Sequence, residues 1–167
     1  MEEFGLGHGW RLGFSAVERV YSITEDDVYW NLILSDGSVY RMEKNKQPKG
    51  LPGHLEFDWS DTTYTGSKYS LKHADGTVEY FDSNGRNIAI VDCCGNTITL
   101  EYTTSEDEVT QIKITDTVGN IVLYKQEAVE NPDEDGYGSI DGYSSSESEH
   151  DLVWSLSLNG ERVKTYY

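Results

Sequence analysis

Residues 79–102, EYFDSNGRNIAIVDCCGNTITLEY, restrict the fold more than any other stretch. Two turn signals, Ser83-Asn84-Gly85 and Cys93-Cys94-Gly95-Asn96, bound runs in which Ile88, Ile90, Ile98, Leu100 and Tyr102 alternate with polar or β-branched residues. A period of two sends alternate side chains to opposite faces of a strand, whereas an amphipathic helix repeats near 3.6. Asn-Gly and Gly-Asn supply residues that tolerate left-handed backbone, so the stretch predicts antiparallel hairpins.

The same pattern recurs along the chain. Three glycines precede Trp10, and Trp10, Leu12 and Phe14 share one face of an expected entry strand. Strands are expected over 17–23 and 28–34, joined by an acidic turn at 24–27, and over 39–42. Asp36-Gly37 predicts a type I′ turn, in which both central residues take positive φ. Residues 43–53 break the alternation with lysines and two prolines, and read as a solvated basic loop, with an acidic partner as the alternative. Leu55, Phe57 and Trp59 alternate again, as do Tyr69 and Leu71, then Val78 and Tyr80 after the Asp75-Gly76 turn.

Beyond Tyr102, Asp116-Thr117-Val118-Gly119-Asn120 repeats the spacing of Asp92-Cys93-Cys94-Gly95-Asn96, and each precedes an alternating strand. Such repetition favours a stackable sheet over a closed barrel. Residues 127–151 are acidic, Ser- and Gly-rich and nearly free of aliphatics, which predicts a long loop within the domain. Leu152, Trp154, Leu156 and Leu158 then alternate, and Asn159-Gly160 closes a last hairpin. That hairpin needs neighbours, because a lone one is marginal in water. The fold class expected is all-β: antiparallel hairpins in an extended, curved or shell-like sheet, forming a single domain over 1–167.

Composition narrows function. A formal charge of −17, from 30 acidic and 13 basic residues, disfavours nucleic acid, because phosphates are repelled. It leaves cations, basic proteins and neutral ligands such as sugars; solubility is its simplest role. Twelve tyrosines and four tryptophans suit half-buried pleated surfaces. The two cysteines, Cys93 and Cys94, are adjacent in a predicted turn and offer no disulfide framework. No apolar run reaches the ~20 residues of a membrane helix, and no signal peptide pattern begins at Met1. The chain is expected to be a piece of a larger exported protein, with an intracellular protein as the alternative.

Taken in order, Phe81-Asp82-Ser83-Asn84-Gly85-Arg86, Asp92-Cys93-Cys94-Gly95-Asn96 and Tyr102 resemble the repeat of Rhs and YD-repeat proteins. Asp116 to Tyr124 resembles a further half-repeat, and Gly9-Trp10-Arg11-Leu12 with the Asp36-Gly37 and Asp75-Gly76 hairpins resembles the segment preceding the repeats. Phe81 departs from the usual tyrosine, and the acidic segment has no counterpart in the family pattern. The resemblance implies long hairpins that wind, in full-length relatives, into a hollow shell around a toxin domain in secreted or cell-surface bacterial proteins, or that serve adhesion. Partners it implies are other repeats or domains of the same parent protein, a toxin domain or a cell-surface glycan; an edge-strand homodimer is a further expectation. Within it Asp82, Gly85, Arg86, Asp92, Gly95, Asn96, Asp116, Gly119 and Asn120 are turn hardware rather than catalytic groups.

Few residues suggest chemistry. His8, His54, His73 and His150 share no metal-ligand spacing, and no nucleophile elbow or Cys–His pair is evident, so the chain reads as non-enzymatic. The alternative function is a carbohydrate-binding module using Trp10, Trp30, Trp59 and Trp154 as stacking platforms. Asp133, Asp135 and Asp141 partly resemble an EF-hand calcium loop, although Tyr137 and Ser144 stand where ligands are usual. A solvated acidic loop is the simpler reading, and no other cofactor is expected.

Overall fold

A computed structural model describes residues 13–21, 28–105, 108–129 and 151–166. Twelve strands and no helix occur among them. The first three, β1 (Ala16–Tyr21), β2 (Val28–Ile33) and β3 (Val39–Met42), form a small antiparallel sheet in sequence order. The remaining nine form a second sheet, again in unbroken order. Its first four strands are short: β4 (Leu55–Asp58), β5 (Tyr69–His73), β6 (Val78–Phe81) and β7 (Asn87–Val91). Longer strands follow, β8 (Thr97–Ser105), β9 (Glu108–Thr115), β10 (Ile121–Val129) and β11 (Asp151–Leu158), and the sheet ends at β12 (Glu161–Tyr166). Every pairing is antiparallel, and β4 and β12 lie at opposite ends of an open sheet.

One five-residue turn is used five times. At 34–38, 73–77, 82–86, 92–96 and 116–120 the first residue's N–H donates to the fifth residue's carbonyl at 2.9 to 3.1 Å, and the fourth, a glycine, donates back to the first. All five glycines have φ between 81° and 93°, while the residue before each does not have positive φ. This is the three-residue hairpin loop, a type I turn followed by a left-handed glycine, and it corrects the type I′ turn expected at Asp36-Gly37. The last hairpin differs, with positive φ at both Asn159 (49°) and Gly160 (86°), as type I′ requires.

The core lies between the two sheets. Val17, Leu32 and Met42 of the small sheet meet Phe57, Leu71 and Phe81 of the large one, all nearly inaccessible to solvent. Burying each large apolar side chain contributes about 1.5–3 kcal/mol. Among the described residues no member of this cluster comes from β8 to β12, although Leu100 of β8 and Val109 and Ile112 of β9 are also buried. The two sheets are also tied by backbone: Val17 N–H donates to the Gly85 carbonyl at 2.8 Å.

Several boundaries differ from expectation. Of the expected entry strand, Phe14 lies in a bend, and Trp10 and Leu12 fall outside the described residues. The loop expected over 127–151 is entered and left by strand, since Glu127, Ala128 and Val129 pair with Val153, Leu152 and Asp151. Backbone pairing to a neighbour outweighs the weak strand preference of Glu and Asp. The last hairpin joins the main sheet through β10–β11, which makes the acidic segment an excursion between two paired strands. The basic loop is not merely solvated: Gln47 Nε2 donates to the Phe57 carbonyl at 2.6 Å, and Phe57 N–H donates to Gln47 Oε1 at 3.1 Å. That side chain thus occupies the edge of β4 as a neighbouring strand would, and Pro48 is buried beside it in sequence.

Candidate functional site

The repeated turns place their motif residues in near-identical geometry. Asp82 Oδ1 accepts from Asn84 N–H at 2.9 Å and Arg86 N–H at 2.8 Å. Asp92 Oδ1 accepts from Cys94 and Asn96 N–H, both at 2.8 Å, and Asp116 Oδ1 from Val118 at 3.0 Å and Asn120 at 2.8 Å. Asn96 and Asn120 donate side-chain amides to the second carboxylate oxygen, each at 2.7 Å. These side-chain amide bonds, with the backbone donors, hold the Asp92 and Asp116 carboxyls below the ordinary aspartate range. The two Asp-Gly turns solve the same problem from another position: Asp36 and Asp75 each accept from the N–H two residues on, at 2.8 and 2.9 Å.

Alternate turns also touch one another at one end of the large sheet. A Cβ on Gly76 would lie 3.0 Å from Cys93 Cβ, so the 73–77 and 92–96 turns are in contact. Thr97 N–H donates to Thr117 Oγ1 at 2.6 Å, which ties 92–96 to 116–120. Asn159 continues the series, accepting from Ile121 N–H at 2.7 Å. Side-by-side contact of this kind helps to fix strand register. At the other end, Gly85 is confined instead by the small sheet, and Arg86 lies over the Tyr102 ring at 5.5 Å. Tyr102 Oη donates to the Asn87 carbonyl at 2.8 Å, and burial pushes its hydroxyl well above the usual tyrosine range.

A buried polar cluster lies where the sheets meet. Glu79 on β6 is 6 % exposed. Its Oε1 accepts from Ser15 Oγ at 3.1 Å and lies 2.9 Å from His73 Nε2, and Oε2 accepts from Asn87 Nδ2 at 2.7 Å. Three other chain segments therefore converge on the Glu79 carboxylate. Rotating the Asn87 amide would set its oxygen against that carboxylate, so the orientation is determined, and Asn87 Oδ1 is left buried without a partner. Ser15 is itself buried, so its bond to the carboxylate joins the segment before β1 to β6. The cluster is a clamp between segments.

Sequence reasoning missed this cluster because it followed apolar alternation. On β6 and β7 that alternation selects Val78, Tyr80, Ile88 and Ile90, yet the inaccessible positions are Glu79, Phe81, Asn87 and Ala89. The available signal was the placement of Glu79 and Phe81 on one face, with Glu79 opposite Leu71.

The two tryptophans whose side chains are described come together. Trp30 and Trp59 are half-buried, with ring centroids 5.4 Å apart at 89°, and Trp59 packs edge-to-face on Phe57 and Tyr69. Trp59 Nε1 donates to the Lys46 carbonyl at 2.7 Å. Both rings pack against the core cluster, and perpendicular rings offer no shared flat face. Trp154 stands on β11 opposite Gln126, its side chain outside the described residues, as is all of Trp10. Asp133, Asp135 and Asp141 also lie outside the described residues. Among the described residues no three His, Cys, Asp or Glu side chains converge as metal ligands, and no helix is long and apolar enough to cross a membrane. No family model, curated protein or solved structure matches this chain.

Proposed function

We propose that the chain is a non-catalytic structural and interaction module of an Rhs/YD-repeat protein, supplying β-sheet to a shell or to an adhesive assembly on the cell surface or in secreted form. The observation that carries this reading is the asymmetry of the large sheet. Gln47 occupies the β4 edge, the small sheet covers the adjoining strands, and β12 has no neighbour on its outer side among the described residues. A sheet blocked at its start and open at its end is built to be continued in one direction. Iterated turns that contact the preceding turn at the same end of the sheet supply the means, because each registers the next.

The natural occupant of the β12 edge is the next hairpin of the same parent chain, with a second copy of this chain as the substitute when that hairpin is missing. A toxin domain would then be the enclosed partner, or a glycan the partner of an adhesive assembly. Amide hydrogen exchange tests the reading. In the full parent protein the outward amides of β12 become protected relative to the isolated chain, and imaging reveals a continuous β-shell or β-sheet array. Unprotected β12 amides in both, with no further sheet, overturn it. A glycan array read together with tryptophan quenching tests the alternative of sugar stacking at Trp30 and Trp59; glycan-dependent quenching would favour that alternative.

A further inference from the structure

The turn between β7 and β8 carries chemistry that sheet building does not use. Cys93 and Cys94 are the only cysteines of the chain, both are free and exposed, and their sulfurs lie 3.9 Å apart. They occupy the two central positions of the type I turn 92–95. Its backbone is held by Gly95 N–H on the Asp92 carbonyl at 3.1 Å and by two N–H groups on Asp92 Oδ1 at 2.8 Å. The thiols therefore sit on a support that is ordered before any ligand arrives, which lowers the entropic cost of binding.

Their separation is informative. Zinc holds thiolate sulfur at about 2.3 Å in tetrahedral geometry, which sets two ligating sulfurs about 3.8 Å apart. The pair in this turn already spans that edge. We infer that Cys93 and Cys94 form a bidentate thiolate site for a divalent thiophilic cation of the zinc and cadmium type, one ion per chain. Thiolate ligands select such ions over calcium and magnesium, which take oxygen. Among the described residues two donors converge: the Asp92 carboxylate is already engaged by Asn96 and the turn backbone, and no third ligand joins them. Water fills the remaining positions, so the ion exchanges readily and stays reachable from solution. The 73–77 turn lies against Cys93, leaving the outer side for entry. The chain's net charge of −17 raises the local cation concentration.

Binding is a ligand exchange without electron transfer. Two S–H bonds break, two S–metal bonds form, and two protons are released to solvent while water leaves the ion. Titration of the full chain with cadmium under a thiol-free reductant tests it. Expected are one ion per chain, two protons released, and a thiolate-to-cadmium charge-transfer band that zinc displaces and excess calcium does not. Losing either chelate arm, in Cys93→Ser or Cys94→Ser, weakens binding at least about tenfold, and the double variant abolishes the band. Both side chains are exposed, and an unchanged circular dichroism spectrum identifies folded variants. Cadmium binding that survives in the folded double variant, saturation at one ion per two chains, or no charge-transfer band overturns the site.

Discussion

Gly85→Ala tests how the two sheets are joined. A Cβ at this position would fall 1.8 Å from the Val17 carbonyl oxygen and 2.7 Å from its carbon, so backbone must move. Three costs combine. A non-glycine residue at φ +81° costs about 1–2 kcal/mol, loss of the Val17 N–H bond to Gly85 about 0.5–1.5 kcal/mol, and steric displacement of packed backbone about 1–3 kcal/mol. The sum is about 2.5–6.5 kcal/mol. Gly95→Ala is the matched control, since Gly95 has φ +86° in the same turn type but nothing within 4 Å of its added Cβ. It should cost about 1–2 kcal/mol, and the unfolded-state entropy change common to both variants cancels in the comparison. Each kcal/mol shifts the melting temperature by roughly 2–4 °C at this chain length, which separates the variants on thermal melts followed by circular dichroism. Urea unfolding supplies the free energies. Equal destabilisation of the two variants would refute the claim that Val17 confines Gly85.

Three further outcomes follow from the geometry. Glu79→Ala leaves the buried Ser15 hydroxyl and Asn87 amide without their acceptor and should cost about 3 kcal/mol or more, whereas Glu79→Gln keeps an acceptor for Asn87 and should cost about 1 kcal/mol; denaturant titrations that rank them otherwise refute the clamp. Gln47→Ala strips both hydrogen bonds from Phe57 at the β4 edge, costing about 1–3 kcal/mol in the same assay and raising self-association in sedimentation experiments. The Asp92 and Asp116 carboxyls are depressed in the folded state, so their stabilisation is present above the unfolded value of about 3.9 and is lost as pH falls through the depressed folded values. NMR titration of the two carboxyls should place both midpoints below that value, and Asp92→Asn with Asp116→Asn should flatten the acid limb of the stability profile.

The all-β class, the antiparallel pairing and most turn positions are determined by local sequence. Alternation decides which residues form strands, and an Asp–Gly spacing specifies a turn because both the carboxylate acceptors and the left-handed glycine act within five residues. Even so, local signals did not distinguish the type I turn with its left-handed glycine from type I′ at Asp36-Gly37, because both accept Asp-Gly. Tertiary structure alone decided which face of β6 and β7 is inaccessible. Ser15 and Val17 arrive from some 60 to 70 residues earlier in the chain and cover the side that carries Glu79 and Asn87. It also decided that Gln47 ends the sheet at β4 and that strand continues into the acidic segment at Glu127. Each depends on a neighbour distant in sequence, and periodicity within a single strand carries no record of what packs against either face.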